Sequence, residues 1–167
     1  LAEHVAGSIP AFVDMMNQRI AELGCNESHF ANPSGLNDDT QRTTAYDMAI
    51  IARACFQNPT VLEIASARTS TIPATANNPN GRTFSIEHKM LLSDDSNYYP
   101  DAIAGKTGWT SQAGQTLVTY ARREGRGQIA VTLKSTQKTH YSDTKTILDF
   151  CFARFKNVNI ADNEIEY

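Results

Sequence analysis

Between residues 101 and 135 the chain carries three extended runs in close succession, followed directly by one amphipathic helical stretch, and no other feature narrows the fold as far. The runs at 101–109, 112–122 and 128–135 read as strands, with Arg123-Glu124-Gly125-Arg126-Gly127 as the hairpin connection between the last two. Residues 142–155 then read as a helix with Ile147, Leu148, Cys151, Phe152 and Phe155 on one face, a stripe expected to lie on the sheet. Three strands under one helix make a thin sheet with an open edge, which natural proteins normally cover or extend.

The first half has the opposite periodicity. Phe12, Met16, Ile20 and Leu23 define one apolar stripe of a helix over residues 10–23, with Pro10 suited to its first turn and Gly24 to its stop. Residues 32–39 are dense in turn formers and read as a surface loop. A second helix starts after Thr43 or Thr44, where Thr44 and Asp47 resemble a capping box with Asp in place of Glu. Its buried face is expected to hold Met48, Ile51, Ala52 and Cys55, and Asn58-Pro59 ends it and opens a short further helix through Ala65. Thr69, Thr71 and Ile72 then turn the pattern extended, with a turn at residues 77–81 and a return strand near 83–86. Helices, then a small antiparallel sheet, then a closing helix describe an α+β unit.

Size and charge exclude several functions. A chain of 167 residues has the length of one domain, and 41% hydrophobic with 20% charged residues is an ordinary globular composition. With 15 Lys and Arg against 18 Asp and Glu there is no basic block, so nucleic acid is not an expected partner. No run approaches the roughly 18 consecutive apolar residues that span a bilayer. Cys25, Cys55 and Cys151 are unpatterned and read as small buried hydrophobes, the alternative being one disulfide with a spare thiol. His4, His29, His88 and His140 lack metal-ligand spacing, so no metal site is expected. The polar residues 156–167 read as a linker or the start of a following domain, and the first residue, Leu1, as the start of a processed or truncated product.

The chemistry is concentrated at the end of the first sheet strand. Lys106-Thr107-Gly108 places an ammonium, a hydroxyl and a bare backbone side by side on an exposed strand. Such a set can hold a carboxylate and align a peptide as an added strand. Alone, three residues are a weak signal, and the context decides. Phe12-Val13-Asp14-Met15-Met16-Asn17 followed by Leu23-Gly24, His29-Phe30-Ala31-Asn32-Pro33-Ser34-Gly35-Leu36 and Thr43-Thr44-Ala45-Tyr46-Asp47-Met48-Ala49 precede it in order. Ile72-Pro73-Ala74-Thr75 and Asn78-Pro79-Asn80-Gly81-Arg82 come next, and Tyr141-Ser142-Asp143-Thr144-Lys145 follows the Lys106 block. Over roughly residues 2–155 the chain resembles the serine D-alanyl-D-alanine carboxypeptidases, the low-molecular-mass penicillin-binding proteins. A β-lactamase of the same superfamily fits less well, because residues 32–36 and 43–48 match the carboxypeptidases.

The resemblance implies a β-lactamase/transpeptidase-like α+β fold that lacks its N-terminal strands and nucleophile helix, a partial catalytic domain over residues 1–155, and acyl-serine chemistry on peptidoglycan stem peptides without metal or cofactor. It also implies roles. Lys106 and Thr107 would bind the terminal carboxylate of a stem peptide or a β-lactam, Gly108 would admit the substrate backbone, the Trp109 N–H would form half of an oxyanion hole, and Thr110 would sit beside the strand end. Two family signatures are out of place. No Ser-x-Asn occurs, and both Ser-x-x-Lys strings, Ser135-Thr136-Gln137-Lys138 and Ser142-Asp143-Thr144-Lys145, follow the Lys106 block and read as structural coincidences. The expectation is a substrate-binding wall without nucleophile or base, inactive alone. Its expected partner is a separate N-terminal segment or a second copy joined at the open edge. The other reading is a folded, non-catalytic fragment. His140 stands where many relatives have an Arg that holds the carboxylate; an imidazole cannot make that bidentate fork, so His140 either contacts substrate or only caps a strand end. Residues 32–39 are expected to form the opposite rim, and Trp109 is either an exposed platform or a packing residue. Family membership also implies an extracellular location, at the outer face of the cytoplasmic membrane or in the cell wall.

Overall fold

The computed structural model describes residues 1–158; most of the 156–167 tail lies outside the described residues. The elements are α1 (Ala2–Ala6), α2 (Ile9–Glu22), α3 (Ala45–Gln57), α4 (Pro59–Ser66), β1 (Thr69–Ile72), β2 (Arg82–Ser85), a 3-10 turn at Lys89–Leu91, β3 (Ala102–Thr110), β4 (Gly114–Arg123), β5 (Arg126–Ser135) and α5 (His140–Arg154). β1 and β2 form a separate antiparallel ribbon, while β3, β4 and β5 form an antiparallel sheet in that spatial order. Both β3 and β5 are therefore paired on one side only, where the sequence predicts one open edge. No helix among the described residues is long and apolar enough to cross a membrane.

Caps set the helix starts. Ser8 Oγ accepts from the Ala11 N–H at 3.2 Å and opens α2 two residues ahead of Pro10. The five-residue α1 carries no apolar stripe that periodicity could detect; Gly7, at φ 81°, ends it. Asn17 on α2 reaches across to Phe30, donating to its carbonyl at 2.8 Å and accepting from its N–H at 2.9 Å. That pair ties α2 to the segment before the 32–39 loop. Thr44 accepts from the Asp47 N–H at 3.1 Å, as the capping pattern predicts. The Asp47 carboxylate does not return to close the box. It is buried and accepts from the Glu27 N–H at 3.1 Å and the Ser28 hydroxyl at 2.8 Å, holding the α2–α3 connection against α3.

The expected helix faces need correction at three places. On α3, Ala52 is buried and Met48 and Ile51 are half-buried, but Cys55 is exposed, because these residues line an open apolar groove of about 500 Å³ between α3, α4, the β1–β2 ribbon and β3. Of the cysteines only Cys25 is buried, and all three are free. On α5, Ile147 and Phe155 point outward, and the buried face is Tyr141, Thr144, Leu148 and Phe152, one step around the helix. Thr144 carries no hydrophobic signal, yet it is fully buried, donating to the His140 carbonyl at 2.7 Å and meeting the Thr132 hydroxyl of β5 at 2.7 Å.

The strands also shift by a residue or two. Thr110 Oγ1 accepts from the Ala113 N–H at 2.9 Å, so the β3–β4 turn keeps Gln112 and Ala113, and β4 starts at Gly114. The β4–β5 connection narrows to Glu124-Gly125 at φ 51° and 78°, two positive values that match the right-handed twist of a tight hairpin. Leu117 on β4, Met90 and Leu91 on the 3-10 turn, and Leu148 and Phe152 on α5 form the core between sheet and helix. Replacing the fully buried Leu148 by Ala should lower unfolding free energy by about 2–5 kcal/mol, read from the denaturant midpoint.

Candidate active site

Lys106, Thr107 and Gly108 lie on β3, an edge strand whose outer side carries no partner strand among the described residues. Alternation along β3 sends successive side chains to opposite faces. Lys106, opposite Val118, borders the apolar groove beneath α3 and α4. Lys106, Thr107, Gly108 and Trp109 also border a second, polar cavity of about 490 Å³, closed on its far side by Gln137, Lys138, His140 and Tyr141 at the entry to α5. The ammonium of Lys106 donates to the Thr107 carbonyl and meets no carboxylate among the described residues. A cation so placed is available to an anion from outside. The Thr107 hydroxyl donates to Glu87 Oε2 at a long 3.4 Å.

Two glycines fix how the strand is built. A Cβ on Gly108 would stand 2.5 Å from Thr116 Oγ1, which donates to the Gly108 carbonyl at 3.0 Å. The bare backbone is thus needed for the cross-strand contact itself, a reason separate from admitting a substrate. A Cβ on Gly105 would stand 2.3 Å from the Val118 carbonyl oxygen of β4 and 2.6 Å from the ring of His88.

Of the remaining candidates, Trp109 is 67% exposed and borders the cavity. Thr110 ends the strand, with its hydroxyl engaged by the turn, and does not line the cavity. His140 is buried as the first residue of α5 and yet lines the cavity. Its Nδ1–H donates to the Thr136 carbonyl at 2.9 Å, which leaves Nε2 as an acceptor when the ring is neutral. Residues 32–39 reach the turn beyond β3 through Asn37, whose side chain donates to Ser111 Oγ at 3.2 Å, and stay outside the cavity lining. The two Ser-x-x-Lys strings contain no Ser–Lys hydrogen bond: Ser135 donates to Asp143 at 3.0 Å, Ser142 to the Thr139 carbonyl at 2.8 Å, and Lys145 to the Ser96 carbonyl at 3.4 Å.

Sequence reading missed the cavity floor. Glu87 and Lys89 flank His88, and Tyr141 bridges them, accepting from the Lys89 N–H and donating to the Glu87 carbonyl, each at 3.3 Å. Burial pushes the Tyr141 phenol up, which keeps it protonated and able to donate. Lys138 was visible as a residue but not as a cavity wall, because the strand-to-helix connection that turns it inward leaves no periodic signal.

Residues 1–137 match the D-alanyl-D-alanine carboxypeptidase family. The chain belongs to this family. It is 31% identical to the D-alanyl-D-alanine carboxypeptidase DacB2 of Mycobacterium tuberculosis over 90% of its own length and 51% of that protein's. Against DacF of Bacillus subtilis the identity is 28%, over 93% of this chain and 39% of the relative. The chain thus spans about half, or less, of the curated relatives it matches. The crystal structure of a D-alanyl-D-alanine carboxypeptidase from Mycobacterium tuberculosis superposes with a TM-score of 0.81 at 28% identity, covering 95% of this chain and 59% of that one. A penicillin-binding protein described as a peptidoglycan synthesis regulatory factor, from Streptococcus pneumoniae, gives 0.79 at 29% identity, over 95% of this chain and 52% of that one. The fold is that of the penicillin-binding proteins.

Gly108→Ala should destabilise the chain by about 1–3 kcal/mol through the clash with Thr116. Adding Thr116→Ala should restore more than half of that loss, a coupling that urea titration of the double-mutant cycle measures.

Proposed function

We propose that this chain forms the carboxylate-binding wall of a D-alanyl-D-alanine carboxypeptidase that acts on peptidoglycan stem peptides in the cell envelope, outside the cytoplasmic membrane. The observation that carries the reading is Lys106-Thr107-Gly108 on the unpaired side of β3, facing a polar cavity. An extended peptide lies along such an edge by main-chain pairing, and its terminal carboxylate meets Lys106 and Thr107. The Trp109 N–H supplies one donor to the oxyanion that forms when the penultimate carbonyl is attacked. Gly108 keeps the approach open, Thr110 holds the strand end, and His140 borders the carboxylate pocket.

The reaction requires a serine hydroxyl that is activated by a base. Its oxygen bonds to the penultimate D-Ala carbonyl, the bond to the terminal D-Ala nitrogen breaks, that nitrogen leaves with a proton, and water then cleaves the acyl-serine ester. A β-lactam enters the same step, and its opened ring stays attached. Neither the serine nor its base is among the residues that surround Lys106, and both Ser-x-x-Lys strings have their hydroxyls engaged elsewhere. The isolated chain is therefore inactive. Lys106 borders both the polar cavity and the apolar groove, which supports a partner segment that lies in the groove and brings Ser-x-x-Lys and Ser-x-Asn to the ammonium. A second copy joined at a sheet edge is the other candidate partner.

Fluorescent penicillin tests this reading. The chain alone should take no covalent label, and labelling of the chain alone overturns the inactivity; labelling of a companion polypeptide marks a split enzyme. In the completed enzyme, Lys106→Ala should slow acylation about 10- to 100-fold, the loss expected for a hydrogen bond to a charged group. An unchanged rate removes Lys106 from carboxylate recognition.

A further inference from the structure

His88 is 1% exposed and sits behind the edge strand, where nothing in the proposed chemistry requires an imidazole. Its Nε2 lies 2.9 Å from Thr119 Oγ1 on β4, and Thr119 Oγ1 lies 3.8 Å from Met90 Sδ. The tautomer that gives each of these hydrogens an acceptor has Nε2–H donating to Thr119, whose own hydrogen points to the sulfur. Nδ1 is then a bare lone pair, and it is buried without a partner. The ring, together with the Val118 carbonyl of β4, fills the space beside Gly105 that any side chain there would occupy. Of its chain neighbours, Glu87 accepts from Thr107 on the same strand, and Lys89 donates to Tyr141 on α5.

We propose that His88 is the positioning residue of the Lys106-Thr107-Gly108 edge: its ring, wedged between Gly105 and Thr119, sets the course of β3 one residue ahead of the cation. The inference concerns the edge on which the carboxypeptidase reading rests. A glycine before the lysine removes the side chain that would otherwise determine where the strand sits, and the imidazole of another segment takes over that task. The wedge holds only while the ring is neutral. Burial lowers its pKa from the ordinary 6.5 to about 4, outweighing the backbone hydrogen bonds that favour the charged ring, and the Arg68 guanidinium acts in the same direction as burial. The titratable groups around it are Arg68, Glu87 and Lys89 from the connecting segments, Lys106 from β3, and His140 and Tyr141 from α5. Because the folded value is the lower one, the edge keeps its full hold above pH 6.5 and loses it as the pH falls through about 4.

Nuclear magnetic resonance of the whole chain tests this without any ligand, so its outcome is separate from the carboxypeptidase reading. Lys106 and Thr107 amide shifts and the fluorescence of Trp109, the single tryptophan, should titrate with the His88 ring near pH 4, ahead of the β5 amides. In His88→Gln, which keeps a donor toward Thr119 but cannot be protonated, that step should vanish. In His88→Ala, hydrogen exchange of the β3 amides bonded to β4 should accelerate about tenfold relative to β5. An edge that does not follow the ring in the wild-type chain, or an acid step that persists in His88→Gln, overturns the proposal. So does exchange that rises equally in β3 and β5.

Discussion

Among the described residues β4 is the one strand bonded along both sides, and the rest of the molecule depends on that double pairing. Its ten residues pair with β3 from Gly114 to Ala121 and with β5 from Gln115 to Arg123, so the positions of both edges are fixed by one strand. Leu117 and Ala121 of β4 are fully buried beneath α5. Arg123, at its end, donates from Nε to Asp101 at 2.8 Å and from Nη2 to Tyr99 Oη at 2.8 Å, while Tyr99 donates to Asp149 on α5 at 2.7 Å. The guanidinium also stacks over Phe152, 4.5 Å from the ring centre. One side chain thus ties the start of β3, the end of β4 and the middle of α5. Its value lies more in geometry than in net energy, since the ions are partly solvated.

An edge strand that must stay unpaired poses a structural problem. Its outer N–H and C=O groups cannot help to hold it, and an exposed edge is also an aggregation template. β3 answers the first difficulty from behind and beneath, through Gly108 against Thr116 and Gly105 against His88. It answers the second with the charge of Lys106. The residues proposed to recognise substrate are thus also the ones that keep the edge from pairing indiscriminately.

The fold class, the three sheet strands, the β1–β2 ribbon and the closing helix were legible because each is carried by periodicity. Errors gathered where polar groups take the place of apolar ones. Thr144 is buried by two hydroxyl contacts, so a hydrophobic count rotated α5 toward Ile147 and Phe155. Asp47 looked like half of a capping box, but its carboxylate holds residues twenty positions earlier in the chain, a pairing that local spacing cannot encode. Cys55 sits on a helical stripe and is exposed, because amphipathicity says which face is apolar and not whether anything covers it. Lys106, Thr107 and Gly108 were legible as a motif. The rest of the cavity lining was legible only at Trp109 and His140, since Glu87 and Lys89 come from the segment that enters a 3-10 turn and Lys138 from a connection, with no period to read.

Lys106 stands between two environments of opposite character, and this bears on how strongly it can act. On one side is a polar cavity with Glu87, Lys89, Lys138 and His140, and on the other an apolar groove lined by Ile51, Val61 and Ile64. With the groove open to water, the ammonium attracts an anion across a high dielectric, where a charge pair at about 4 Å is worth only about 1 kcal/mol. Anything apolar that covers the groove removes water from one side of the ammonium and raises that attraction several-fold, while the polar side remains free to receive the carboxylate. In the proposed carboxylate-binding role, recognition and coverage of the groove would therefore be coupled through a single side chain. On the proposed reading, the chain with its groove uncovered would bind a carboxylate more weakly than the same residues with the groove filled.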